Sequence, residues 1–307
     1  MAANLPLSPI THHFCLRSGF GSRALTTHRF CSPSFLISSP CFIGLTGLGS
    51  ASQLRARRSL ISSAVATNSM LHDVGATVAV LGGAYALVVS FESLTKRNVI
   101  QQSLSRKLVH ILSGLLFVLA WPIFSGSSEA RYFAAFVPLV NGLRLVINGL
   151  SLSPNSTLIK SVTREGRPEE LLKGPLFYVL ALLISVVFFW RDSPIGMMSL
   201  AMMCGGDGIA DIMGRKYGSV KIPYNPRKSW AGSISMFIFG FSISIGLLYY
   251  YSSLGYLDMN WGTTFQRVAI VSMVATVVES LPITDQLDDN VSVPLATILA
   301  AYLSFGN

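Results

Sequence analysis

Cys204-Gly205-Gly206-Asp207-Gly208-Ile209-Ala210-Asp211-Ile212-Met213-Gly214-Arg215-Lys216 closes an apolar run that begins at Ser193. Ser193 to Met203 is apolar enough to lie in a membrane. A carboxylate at the centre of a membrane helix costs roughly 2.5–3.5 kcal/mol, so an acid there is a functional candidate. Asp207 and Asp211 are four residues apart, which puts them on one helical face. Two carboxylates on one face, flanked by glycines and followed by basic residues, suggest a metal–phosphate site.

The rest of the chain agrees with a membrane setting. Of 307 residues, 51% are hydrophobic and 12% charged, against about 25% charged in soluble domains. Eight apolar segments are expected near 72–91, 107–124, 132–150, 174–190, 194–214, 231–251, 265–281 and 292–305. Most are long enough to cross a hydrocarbon core of about 30 Å. The last is short and carries Pro294 in its first turn. The predicted fold is therefore all-α, a polytopic helical membrane protein with seven or eight spans.

The net charge of +9 is unevenly placed. The first 69 residues hold six Arg and no Lys, Asp or Glu, so the remainder has 17 basic and 14 acidic residues, or +3. That balance argues against a nucleic-acid partner. The same leading stretch is rich in Ser and Thr, the composition of an organelle transit peptide, with a plastid favoured. Residues 1–65 are expected to be this targeting segment and 66–307 the membrane domain. An ordinary disordered tail leaves the absence of acids unexplained. Cys15, Cys31 and Cys41 fall in the segment, leaving Cys204 as a small core residue.

Charge in the connections sorts by face. The first connection carries Lys96, Arg97, Arg106 and Lys107; the third carries Lys160, Arg164, Arg167 and Lys173; the fifth carries Arg215, Lys216, Lys221, Arg227 and Lys228. The even connections are nearly free of basic residues. One membrane face therefore collects the positive charge, as the positive-inside rule describes. The seventh connection, on that face, is acidic, with Asp285, Asp288 and Asp289. Asp207 lies about 14 residues into a helix entering from the other side, a climb of roughly 20 Å at 1.5 Å per residue. Acids and bases thus meet where a water-soluble reactant can encounter a membrane-dissolved one.

Several readings stay open at single positions. Gly206, Ala210, Gly214 and Gly218 form a small-residue stripe that suits helix packing or close approach of a phosphate. Asp211 has Arg215 as an i,i+4 partner. Lys228 and Ser229 stand at a helix start, where free N–H groups bind phosphate; equally, Ser229 is an N-cap and Lys228 snorkels. Lys173 before Gly174-Pro175 has the same two readings. His110, one turn beyond Arg106, is a base, an orienting donor or a structural histidine. Asn290 caps the final helix. No Walker loop is present.

Asp207-x-x-Ala210-Asp211-x-x-Gly214-Arg215-x-x-Gly218, followed by Lys228-Ser229-x-Ala231-Gly232-Ser233, resembles the nucleotide-binding pattern of the membrane polyprenol kinase family, to which dolichol kinase belongs. Arg106-Lys107-Leu108-Val109-His110, Glu279-Ser280-Leu281-Pro282 and Asp288-Asp289-Asn290 match the same family. The related acid–glycine pattern of CDP-diacylglycerol synthases is met less well, since Ala231 replaces its acid. Along the whole chain the likeness is to the plastid isoprenoid-alcohol kinases of the family, which act on phytol or farnesol.

The resemblance implies transfer of the terminal phosphate of a nucleoside triphosphate, CTP favoured, to a long isoprenoid alcohol such as phytol. It implies a plastid membrane location, the envelope before the thylakoid, and a product feeding tocopherol synthesis. Mg²⁺ or another divalent cation falls to Asp207 and Asp211, because hard cations choose carboxylates. Arg215, Lys216, Lys221 and Lys228, with Gly214, Gly218, Ser229, Arg106, Lys107 and Lys173, are expected to hold the nucleotide. Glu279, Asp288 and Asp289 are expected to complete the metal shell or take the alcohol proton, with His110 a further catalytic candidate. The rivals are a lipid cytidylyltransferase and an ion-coupled transporter.

Overall fold

A computed structural model describes residues 51–152, 159, 163, 166–282 and 287–306; for 51–66 it describes the backbone alone. The expected targeting segment falls outside these residues up to position 50, and so do Lys160, Arg164 and Asp285.

In a bilayer every backbone N–H and C=O must be satisfied within its own segment, so apolar runs of this length become helices. The chain forms α1 (Ala51–Lys96), α2 (Gln102–Leu119), α3 (Ala130–Gly149), α4 (Gly174–Phe188), α5 (Pro194–Leu200), α6 (Gly208–Tyr217), α7 (Trp230–Ser253), α8 (Trp261–Ser280) and α9 (Asp289–Phe305). A π-helical turn, Ala201–Asp207, joins α5 to α6 into one 24-residue span. Among the described residues, seven helices are long and apolar enough to cross a membrane. They coincide with the first seven predicted segments. The eighth, α9, has 17 residues and falls short of the others. Strands appear in one place among the described residues: Lys221–Ile222 (β1) and Asn225–Ser229 (β2) form an antiparallel hairpin in the fifth connection.

Local chemistry sets the helix starts. Pro194 opens α5 with the fixed φ a first turn needs. Ser229 Oγ accepts from Gly232 N at 3.2 Å, Asn260 Oδ1 from Gly262 N at 3.1 Å and Asp288 Oδ1 from Asn290 N at 2.9 Å. These bonds cap α7, α8 and α9 by satisfying an orphan donor of each first turn.

The α5–π–α6 span is the central element. Met197, Met198, Leu200, Met202, Met203 and Cys204 have no exposed surface. The outward-facing side chains are large and apolar, for example Phe136, Phe188, Ile238 and Leu303. That inverted dressing suits lipid as the surrounding solvent. Glycine lets the central span pack closely. A Cβ on Gly208 would sit 2.3 Å from Ile111 Cγ1, so α2 reaches Asp207 only because that position is bare.

The small-residue stripe packs on α7. The nearest atoms to a Cβ on Gly214 are Ser229 Oγ and the Gly232 Cα, and Gly206 lies against Gly240. The stripe's close approach is to another helix, the small-xxx-small geometry.

Candidate functional site

Six element ends meet on one side of the bundle. The first turns of α2 supply Lys107 and His110, and the end of the π turn supplies Asp207. Asp211 follows on α6. The hairpin supplies Lys228 from β2, α8 supplies Glu279 from its last turn, and α9 supplies Asp289 as its first residue. Spans that alternate in direction bring the first, fifth and seventh connections to one face, which is why residues 100 to 180 positions apart are neighbours.

Asp207, Glu279 and Asp289 each offer a carboxylate oxygen within 4.8 Å of the other two. Lys228 Nζ donates to Glu279 Oε1 and, at 3.0 Å, to Asp289 Oδ2. Lys107 Nζ lies 3.5 Å from Asp207 Oδ2 and 3.6 Å from Asp211 Oδ2. Arg215 grips Asp211 with Nε at 3.1 Å and Nη2 at 2.9 Å from Oδ1. Asp207 is 5% exposed and Glu279 4%, so neither acid is screened by bulk water.

Among the described residues, the carboxylates Asp207, Asp211, Glu279 and Asp289 pair with Lys107, Arg215 and Lys228. Glu279 Oε2 and Asp289 Oδ1 are buried and have no hydrogen-bond partner among the described residues. Buried oxygens without a donor are expensive. An all-oxygen anionic set with spare lone pairs fits a hard divalent cation, and the Lys228 ammonium is the cation these carboxylates hold here.

Outside the spans, the charges bias one another. Burial works against the Lys228 ammonium, but Glu279 and Asp289 outweigh it and hold its pKa above the ordinary lysine value. Burial, then the neighbouring Asp207 carboxylate, pushes the Asp289 carboxyl above the ordinary aspartate value.

The cluster forms part of the wall of a cavity of about 1540 Å³ between α1, α2, α3 and α4. Asp207, Lys107, Lys228 and Asp289 line its polar end, together with Arg106, His110, Lys173 and Asp288. Ligand pockets commonly run to about 300–1,000 Å³, so this one has room for two reactants.

The other expected residues fall into two groups. Asp288 lines the cavity but spends Oδ1 on the Asn290 backbone and side chain, at 2.9 and 2.8 Å. His110 packs its ring 4.2 Å from that of Tyr178 and places Nε2 3.4 Å from the Met203 carbonyl. Gly214, Gly218 and Ser229 lie together at the α6–α7 contact rather than on the cavity wall. Lys216 is exposed, its ammonium 5.2 Å over the Tyr217 ring, and Lys221 is exposed on β1. Asp211 differs most from the expectation of an Asp207–Asp211 metal pair. The trio that meets is Asp207, Glu279 and Asp289, with Asp211 held by Arg215 and Lys107.

Three contributors were missed. Tyr178 Oη donates to the His110 carbonyl at 2.9 Å and lies 3.0 Å from Ser113 Oγ, which ties α4 to α2 beside the site. Asn225 Nδ2 donates to the Ser280 carbonyl at 3.1 Å, and Tyr224 Oη is 2.8 Å from Ser280 Oγ. These bonds pin the hairpin to the end of α8 and so place Lys228 beside Glu279. One signal was available for them: polar side chains in a Pro-rich turn, Pro223-Tyr224-Asn225-Pro226, with hydrogen bonds to satisfy.

The chain is 89% identical over 306 residues to phytol kinase 1, chloroplastic, of Arabidopsis thaliana, covering all of both chains. It is 67% identical over 236 residues to a probable phytol kinase 1, chloroplastic, of Glycine max, covering 77% of this chain and 78% of the relative. With farnesol kinase, chloroplastic, of Arabidopsis thaliana it shares 41% over 238 residues, 78% of this chain and 77% of the relative. No protein-family model matches the chain, and no solved structure does.

Proposed function

The chain belongs to the chloroplast phytol kinase family, and from that membership we propose that its acid–lysine cluster transfers the terminal phosphoryl group of CTP to phytol. The activity is that of a kinase with an isoprenoid alcohol as acceptor, in a multi-pass chloroplast protein. Phytyl phosphate is the product, with tocopherol synthesis as its destination and the plastid envelope as its membrane. The observation that carries the reading is the meeting of Asp207, Glu279 and Asp289 with Lys107 and Lys228 at the polar end of one large cavity.

Phosphoryl transfer asks little covalent chemistry of a protein. It needs in-line positioning and compensation of the charge on the transferred group. Lys107, Lys228 and Arg106 face the cavity and supply donors for the triphosphate oxygens. Asp207, Glu279 and Asp289 would hold a divalent cation, Mg²⁺ by its preference for carboxylate oxygen, which supplies charge neutralisation between the phosphates. Lys228 would face the nucleotide from the cavity wall. Asp289, on the cavity wall with one carboxylate oxygen unengaged, accepts the alcohol proton. Burial of the cluster keeps water from competing for the phosphoryl group.

The test is a matrix of phytol, geranylgeraniol and farnesol against CTP, UTP, ATP and GTP, with purified protein in vesicles and products identified by mass spectrometry. Phytyl phosphate and CDP are expected, dependent on a divalent cation. Release of pyrophosphate from CTP would overturn the kinase reading in favour of a cytidylyltransferase.

A further inference from the structure

The cavity does not end at the charged cluster. It runs on between α1, α2, α3 and α4, where its wall becomes apolar: Ala79, Val80, Phe117, Val137, Pro138 and Leu182. We infer that this apolar half is the berth of the isoprenoid chain, and that the levels of Gly83 and Ala79 along it measure chain length. The inference rests on the alcohol-kinase reading above and adds to it the residues that select the alcohol.

The register of α1 against α2 provides the scale. Ser105 Oγ donates to the Phe91 carbonyl at 3.4 Å, so these two residues lie level on antiparallel helices. Counting away from that point in opposite directions, Gly83 is level with Ser113 and Ala79 with Phe117. All four line the cavity. At 1.5 Å per residue, Ser113 is about 9 Å beyond Lys107, Phe117 about 15 Å and Ala120 about 20 Å.

A hydroxyl placed between Lys107 and Asp207 sets the zero. A farnesyl backbone of about eleven bonds at roughly 1.25 Å each extends about 14 Å, and a phytyl backbone of about fifteen bonds extends about 19 Å. Farnesol therefore stops short of the Ala79–Phe117 level, while phytol passes it and ends near Ala120. Beyond that point Trp121 and Phe124, both buried, close the bundle. Geranylgeraniol has phytol's length with more double bonds, so a length gauge treats the two alike.

Space on α1 makes the gauge testable. Gly83 lines the cavity, and a Cβ there would have no neighbour within 4 Å, so a larger side chain can be built at that level without a clash at its base.

The experiment compares kcat/KM for farnesol, geranylgeraniol and phytol in the wild type, Ala79→Phe and Gly83→Phe. A ratio taken within one preparation cancels differences in folded yield. Ala79→Phe is expected to lower the phytol-to-farnesol ratio at least tenfold, and geranylgeraniol should fall with phytol. Gly83→Phe is expected to lower all three at least tenfold while nucleotide binding stays within twofold. An unchanged ratio in Ala79→Phe, or geranylgeraniol following farnesol, overturns the gauge. If Ala79→Phe does not fold, a phytol analogue with a diazirine at its tail end is applied to the wild type. Labelling near Ala79 and Ala120 supports the berth, and labelling confined to α7 and α8 overturns it. Wild-type protein that fails to phosphorylate any alcohol would instead strike the proposed function.

Discussion

At the end of the bundle away from the carboxylate cluster, Asp73 is as buried as Asp207, 1% against 5% exposed, yet the two live differently. Asp73 Oδ1 accepts from Ser125 N at 2.6 Å and Oδ2 from Ser125 Oγ at 2.7 Å. Arg191, on the same side, donates to the carbonyls of Trp121, Phe124 and Ser125 at 3.5, 2.9 and 2.5 Å, and lies 4.7 Å over the Tyr256 ring. Apart from the exposed His72, 3.5 Å from Asp73 Oδ1, the partners there are backbone, short hydroxyls and a fixed ring. Such charges are saturated and staple the α2–α3 corner in place. Around Asp207 the partners are long lysine side chains and other acids, and Glu279 and Asp289 keep unengaged oxygens. Burial alone does not mark a working charge. Exchangeable partners and spare bonding capacity do.

That contrast is open to attack by mutation. Asp207→Asn should cost the most, about 10³-fold in kcat, the scale for removing an electrostatic group from a reacting phosphate; labelled phosphoryl transfer measures it, and near-normal turnover would put Asp207 with Asp73 among the staples. Lys228→Ala should raise the KM for CTP about tenfold or more and lower kcat, because the triphosphate loses a charge-assisted donor; an unchanged nucleotide dependence would leave Lys228 as a structural partner of Glu279 and Asp289.

Asp289 sharpens the comparison next. In Asp289→Asn the rate should be lower, by about 10²-fold for loss of a general base; labelled phosphoryl transfer measures it, and an unchanged rate would return Asp289 to a structural partner of Lys228. Asp211→Asn should cost less, roughly tenfold by loss of its hold on Lys107, since Arg215 engages it outside the trio.

The smallest catalytic effect belongs to Asp73→Asn. Turnover should stay within about threefold, while thermal unfolding in detergent shows a loss of about 1.5–3 kcal/mol, the worth of hydrogen bonds to a charged group. A selective loss of activity without loss of stability would break the comparison.

The spans, and which connections share one end of the bundle, were readable in advance because lipid imposes its rule segment by segment. Hydropathy sees α1 to α8, and the basic connections sort by face. The site was readable only in part. Asp207, Glu279, Asp289, Lys107 and Lys228 were all named, since charge beside apolar sequence is conspicuous. Their partnerships were only partly legible. The i,i+4 spacing pairs Asp207 with Asp211, which share Lys107, but it says nothing of the acids from α8 and α9 that also meet Asp207. The alcohol berth left no trace at all, because Ala79, Gly83 and Phe117 look like any lipid-facing or packing residues.

Local rules thus carried what depends on neighbours in the chain: helix or not, how long each span is, which helix starts are capped. Contacts between residues more than a hundred positions apart, and the empty volume those helices enclose, follow from how the spans pack. That packing turns on where bare positions such as Gly208 let backbones close up, and on polar pins such as Asn225 to Ser280. Close approach and enclosed space are properties of several helices together, and no single stretch of sequence contains them.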